Sequence, residues 1–249
     1  MKLRFLSYNI DSGRGTDNRF NPMRSLREIR ALQPDIAAVQ EVAVNRPDAP
    51  PEDYPSLAAE TLGMQVLFAK SLGFSNGGAF GVMLASRFPL EKTAELVLPV
   101  PETAEPRRAL IAKVLCGTPF YAVSTHFSFQ GECDEDDEVR RASAQTIHDY
   151  VTDNRLFPCV LLGDLNAAPD APAIRLLREK GWKICNDAGT GAPTAETGKF
   201  GWMEIDYIAV FPGDSVAEHV FRRGEKREAS DHYCIRADME LEEPGEAKR

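Results

Sequence analysis

The stretch CVLLGDLN, residues 159–166, runs through four apolar residues and stops on Gly163, Asp164 and Asn166. An apolar run that short, bounded by turn residues, reads as a β-strand. In extended backbone residues i and i+2 share a face, so Asp164 and Asn166 should project a carboxylate and an amide into the same space. Gly163, lacking a Cβ, would let a ligand approach the backbone closely.

Similar runs recur along the chain, at 3–8, 36–40, 65–69, 80–85, 109–115, 120–125 and 205–210. Helix-period segments are fewer. One spans 22–32 with Pro22 in the first helical position after Asn21, a second spans 137–151, and a third spans 171–180, ending at Gly181. A βαβ repeat would need a helix after nearly every strand, so the count predicts an α+β sandwich of mostly antiparallel sheets with helices packed outside. No internal repeat or Gly/Ser linker divides residues 1–249, which are read as one domain. The proline-dense stretch 47–55 reads as a stiff surface loop. The acidic run 132–138 reads as a solvated loop whose charge favours the N-terminus of the helix after it, and the tail beyond Leu241 as frayed.

Composition narrows the classes of function. There are 29 Lys plus Arg against 38 Asp plus Glu, a formal charge of −9, which argues against a general polyanion binder. Hydrophobic content of 43% and charged content of 27% are those of an ordinary globular protein, and at this length folding buries about three quarters of the chain's surface. The five cysteines are scattered without a CxxC pair, which points to a reducing compartment and away from a thiolate zinc site. The opening MKLRFLSYNI reaches Asn9 and Asp11 before any apolar run long enough for a signal peptide, and no stretch approaches the roughly 18 apolar residues of a membrane span. A cytoplasmic protein with no transmembrane segment, acting as a monomer, is expected.

The informative residues are polar ones at the ends of apolar runs. Glu41 closes DIAAVQEV, where a buried carboxylate costs several kcal/mol unless paired or metal-bound. Asn9 follows the first strand, and Thr125 and His126 close FYAVSTH. Asp206 interrupts MEIDYIAV on the face of Ile208 and Val210, and needs a cationic partner there. ASDHYCI offers His232. Strand neighbours point to opposite faces, so Asp231 and His232 can serve one pocket only if the chain turns just before the strand.

SYN at 7–9, QEV at 40–42, TH at 125–126, GDLN at 163–166, IDYI at 205–208 and SDH at 230–232 together resemble the endonuclease/exonuclease/phosphatase family of metal-dependent phosphoesterases, in that family's order and over essentially the whole chain. The resemblance implies a four-layer αββα sandwich, DNase I-like, with the site where the strand ends of two sheets meet. It makes Glu41 the principal metal carboxylate, with Asn9 and Asp231 completing or orienting the metal cluster. Oxygen ligands of that kind suit Mg²⁺ or Mn²⁺. By the same resemblance Asp164 positions or deprotonates the attacking water, Asn166 binds a phosphate oxygen, and His232, backed by Asp206, steadies developing negative charge. His126 matches the histidine of the deoxyribonuclease, sphingomyelinase and phosphatase branches, where the AP-endonuclease branch has tyrosine. Arg107 matches an arginine aimed at the phosphate.

The substrate is then a phosphoester, diester or monoester. With one short basic cluster, Arg222, Arg223, Lys226 and Arg227, a nucleic acid is allowed but not favoured, and a small or lipid-derived phosphoester is expected. Phe127 and Phe129 are candidates to border it, against core packing as the competing reading. A non-catalytic phosphate-binding protein is the remaining alternative.

Overall fold

The computed structural model describes residues 1–102, 104–129, 134–188, 191–198, 201–225 and 228–242. In chain order it contains β1 (Lys2–Asn9), α1 (Pro22–Leu32), β2 (Ile36–Val44), α2 (Tyr54–Leu62), β3 (Gln65–Gly73), β4 (Ala79–Ser86), β5 (Leu90–Leu98), β6 (Arg107–Val114), β7 (Phe120–His126), α3 (Asp134–Asp153), β8 (Cys159–Asp164), α4 (Pro172–Glu179), β9 (Lys183–Ile184), β10 (Ala195–Thr197), β11 (Gly201–Met203), β12 (Asp206–Phe211), β13 (His219–Arg223) and β14 (Ile235–Glu240).

Two six-stranded sheets are formed, ordered β13-β14-β1-β2-β4-β3 and β5-β6-β7-β8-β12-β9, with β10 and β11 as a separate hairpin. Most neighbours are antiparallel, but β1–β2 and β7–β8 are parallel. These pairs are the ones joined through helices, α1 and α3, because a parallel partner must be reached by a crossover. Side-chain alternation then fixes the layers. Phe5, Ala38, Leu84, Leu110, Ala122, Leu162 and Ile208 pack between the sheets. On the outer faces Leu6, Ala37 and Met83 meet Leu26 and Ile29 of α1, while Ile111, Val123 and Leu161 meet Ile147 of α3 and Ile174 of α4. The result is helix, sheet, sheet, helix, the αββα sandwich expected.

Several elements differ from the sequence reading. Residues 54–62 form α2, with Asp53 accepting the Ser56 N–H at 3.1 Å and Pro55 in the first turn, so the end of the proline stretch starts a helix. Strands β5, β13 and β14 were not among the expected runs. In β14 Ile235, Ala237 and Met239 face inward while Arg236, Asp238 and Glu240 face out, so the signal is alternation rather than an apolar run. The backbone of α3 begins at Asp134, so much of the acidic run is helical rather than a preceding loop. Glu132, Cys133, Lys226, Arg227 and the tail from 243 lie outside the described residues. No helix among the described residues is long and apolar enough to cross a membrane.

Gly163 is corrected too. A Cβ placed there would lie 2.3 Å from the backbone oxygen of Thr125 on the neighbouring strand β7, so the close approach it permits is strand on strand, not ligand on strand. Overpacking of this kind costs up to about 3 kcal/mol. Gly163→Ala is therefore expected to lower Tm by roughly 6–12 °C in a thermal melt; an unchanged Tm would contradict this packing.

Candidate active site

His126, Asp164 and Asp206 are register partners on three adjacent strands, His126 of β7 opposite Asp164 of β8, and Asp164 opposite Asp206 of β12. Two residues earlier or later on the same face lie Leu162 and Ile208, which point between the sheets. The three polar side chains therefore continue the inter-sheet face at the strand ends. From the first sheet Asn9 ends β1 on the face of Phe5 and spans the gap, its Nδ2 donating to Asp164 Oδ2 and to Glu41 Oε1, each at 3.0 Å.

Glu41 reaches this space through a β-bulge. Ala37 and Val39 face the helices, and so would Glu41 in a regular strand. The pairing of β2 with β4 jumps from Val39–Met83 to Val42–Gly81, and Glu41 takes φ 57°, which turns its carboxylate inward. The turn required before β14 is also present. Ser230 Oγ donates to the Asn9 carbonyl at 2.7 Å and accepts the His232 N–H at 3.1 Å, so Asp231 and His232 serve one recess from a loop.

Asn166 is brought to the site differently from the sequence reading. The strand ends at Asp164, and Asn166 has φ 47°, so the two residues do not share a strand face. Instead Asp164 Oδ1 accepts the Asn166 N–H at 2.9 Å, while one amide hydrogen of Asn166 goes to the Phe127 carbonyl at 3.1 Å. Phe127 itself is fully buried against the helices, which answers its expected alternatives in favour of core packing; Phe129 is half exposed.

The two histidines differ in charge. Arg107 Nη1 lies 3.3 Å from His126 Nδ1. Since guanidinium only donates, Nδ1 must accept, which puts the imidazole proton on Nε2, 3.5 Å from Asp164 Oδ2. Burial, Arg107 and His232 together hold His126 well below the usual histidine pKa, so it is neutral. Burial also opposes charge on His232, but Asp206, whose Oδ2 lies 2.9 Å from His232 Nδ1, outweighs it and brings the pKa up to about 10. His232 Nε2 faces Asp164 Oδ2 at 3.7 Å and Asp231 Oδ1 at 3.9 Å. Burial, then the neighbouring Asp206, raises the pKa of Asp164. Arg107 is largely buried between Glu105, with which it forms an ion pair, and His126. That position sets the His126 tautomer.

Asp11 was missed by the sequence reading, although it stands two residues beyond Asn9. Its N–H donates to Asn9 Oδ1 at 3.1 Å, and its carboxylate holds Arg14 at 2.8 and 3.1 Å. Burial, Asp11 and Asp231 push up the pKa of Glu41, against the amide hydrogen bond from Asn9 and the charge of His232. Carboxylates that disfavour one another's charge in a recess are relieved by a divalent cation, and this all-oxygen donor set fits Mg²⁺ or Mn²⁺. Among the described residues the group whose ligand atoms all lie within 4.8 Å of one another is Asp164, Asp206 and His232, in which His232 and Asp206 already hold each other; Glu41, Asp11 and Asp231 are not gathered that closely.

Residues 6–232 match the model of the Endonuclease/Exonuclease/phosphatase family. The chain belongs to this family. A search of the curated proteins returned no match to this endonuclease/exonuclease/phosphatase member. Among solved structures, it resembles an endonuclease/exonuclease/phosphatase from Beutenbergia cavernae DSM 12333, at 24% identity and TM-score 0.77, over 97% of this chain and 72% of that one. It also resembles a mannosyl-6-phosphatase of Bacteroides thetaiotaomicron VPI-5482, at 18% identity and TM-score 0.70, over 96% of this chain and 100% of that one. The human Nocturnin catalytic domain with bound sulfate aligns at 18% identity and TM-score 0.69, over 96% and 93%. At these identities the structures show a shared fold. Members of the family are generally phosphoester hydrolases and usually depend on a metal.

Proposed function

We propose that the chain hydrolyses a small or lipid-derived phosphoester, as a monomer, by attack of water positioned at Asp164. The observation that carries the reading is the placement of Asp164. Its Oδ2 faces Asn9 at 3.0 Å, His126 at 3.5 Å and His232 at 3.7 Å, so one buried carboxylate adjoins a neutral imidazole donor and a cationic one. Asp164 takes the proton of the attacking water, for which a raised pKa suits it. His232, held cationic by Asp206, stabilises charge on the phosphate oxygens, and the Nε2–H of neutral His126 donates to the same group. The second amide hydrogen of Asn166 is available to a further phosphate oxygen. Glu41, Asp231 and Asp11, with Asn9 orienting Glu41, would hold Mg²⁺ or Mn²⁺, which when bound offsets charge on the phosphate and leaving oxygen.

Hydrolysis of bis-p-nitrophenyl phosphate and p-nitrophenyl phosphate, with Mg²⁺ and Mn²⁺ supplied separately, tests this directly. Turnover is expected to vanish with EDTA and return with added metal. Glu41→Gln, which keeps the shape but removes the charge, is expected to raise the metal concentration for half-maximal rate by roughly 100-fold. Turnover insensitive to chelation, with the variant equal to the parent, would overturn the metal assignment. Stoichiometric phosphate binding without turnover across both esters would favour the non-catalytic alternative.

A further inference from the structure

The outer face of the first sheet carries a recess on the side away from the candidate active site. Tyr8 and Asn9 mark the two sides. As strand neighbours they point to opposite faces, Asn9 to Asp164 and Tyr8 to Glu28 of α1, whose carboxylate accepts the Tyr8 hydroxyl at 2.8 Å. Glu28 lines a recess of about 630 Å³ between α1 and the strands β13 and β14. Along α1, Arg24, Arg27, Glu28 and Ala31 recur at i, i+3, i+4 and i+7, so they form one stripe on that side of the helix. From the sheet, Arg222 of β13 stands directly opposite Arg236 of β14, both on the face turned away from Phe221 and Ala237.

With Arg223, five arginines border one space in a chain of formal charge −9. Three are already engaged. Arg24 holds Asp17 through two nitrogens at 2.8 Å each, Arg223 donates to the Pro193 carbonyl at 2.9 Å, and Arg236 donates to Asp238 at 3.2 Å. Arg27 and Arg222 have no hydrogen bond or ion pair among the described residues. Like charges directly opposite on adjacent strands weaken a sheet, so folding alone gives no reason to set Arg222 against Arg236. An anion beside them removes the repulsion. Forks from a helix and from a strand approach it from different sides, which suits a tetrahedral phosphate better than a planar carboxylate, since one fork satisfies the latter. The volume is that of a small-molecule site, and Ala31, Leu32 and Cys234 offer it apolar wall. Glu225 and Glu228, exposed at the edge, would repel a phosphate chain continuing past the recess, which favours a small molecule over a nucleic acid. We infer that the recess binds a phosphorylated small molecule, its phosphate held by Arg27 and Arg222 and its organic part against Ala31, Leu32 and Cys234. The inference does not depend on the hydrolysis proposed above.

Calorimetric titration of the full chain in EDTA, where turnover is expected to vanish, tests it with fructose 1,6-bisphosphate and citrate as probes. One bisphosphate should bind per chain, more tightly than citrate. The double variant Arg27→Gln, Arg222→Gln should weaken that binding at least about tenfold, the scale of one lost hydrogen bond between charged groups. His232→Asn, which removes a phosphate contact from the candidate active site, should bind the bisphosphate as the parent does. Binding that disappears in His232→Asn and survives in the arginine variant would assign the phosphate to the active site and overturn the recess. Absence of saturable binding, a tie with citrate, or a single-stranded oligonucleotide bound more tightly than the bisphosphate would overturn it as well. Crystals soaked in tungstate need no variant to fold: anomalous density between Arg27 and Arg222 is expected, and density at His232 alone would contradict the site.

Discussion

Replacing Asp164 with asparagine is expected to lower kcat by roughly 10³-fold, within the range general-base removal usually costs, with only a small change in Tm. The two effects separate because of what surrounds the side chain. Asp164 Oδ1 accepts the Asn166 N–H and Oδ2 accepts the Asn9 amide, so an asparagine can satisfy one donor and must oppose the other. That mismatch costs about 1–3 kcal/mol, and it is offset because a carboxylate whose ionisation is disfavoured by burial no longer has to be charged. Steady-state kinetics and a thermal melt on the same preparation check both halves. A kcat within tenfold of the parent would place the base elsewhere. A Tm drop above about 10 °C would make any loss of activity a folding effect.

The second large effect is expected from Asp206→Asn. Asp206 is completely buried, its Oδ2 faces His232 Nδ1, and its Oδ1 has no hydrogen-bond partner among the described residues. An asparagine can still accept from His232 and keep the ring oriented, but it cannot hold the positive charge. Loss of about 10²-fold in kcat is expected, the usual scale for one electrostatic donor. The pH profile carries the sign. In the parent His232 stays cationic through neutrality and activity should fall as pH rises through about 10. In the variant only Asp164 and Asp231 still oppose burial, so the fall moves down from about 10 toward the ordinary histidine value of about 6.5. Stability follows the same linkage. A histidine with a raised folded pKa contributes fully below about 6.5 and loses the contribution as pH approaches 10, so the Tm gap between parent and variant should be widest at acid pH and close toward pH 10. An unchanged alkaline limb would show that the imidazolium is not required.

The chain's strand ends were legible because Asp164, Asp206 and His126 interrupt apolar runs at positions where a strand has no use for them. Alternation placed Asp206 correctly on the face of Ile208 and Val210, and the turn demanded by Asp231 and His232 is there. What was not legible depends on single backbone dihedrals. Strict alternation sends the Glu41 side chain toward the helices, and only the bulge at φ 57° returns it to the site. Asn166 joins through a left-handed turn rather than a shared strand face. The place of Arg107 depends on Glu105 and on His126, nineteen residues away, and no local pattern reports that contact. Helix α2 and strand β14 were passed over because their signals, an aspartate cap ahead of Pro55 and a strict in–out alternation, lack a long apolar run.

Crystals grown with Mn²⁺ and inorganic phosphate would show by anomalous scattering where a cation sits. Density within roughly 2.5 Å of the Glu41 carboxylate, with a phosphate oxygen beside it and His232 facing the phosphate, is the expected result. Density confined to the Asp164, Asp206 and His232 group, or a Glu41 carboxylate with no ion at saturating Mn²⁺, would contradict it.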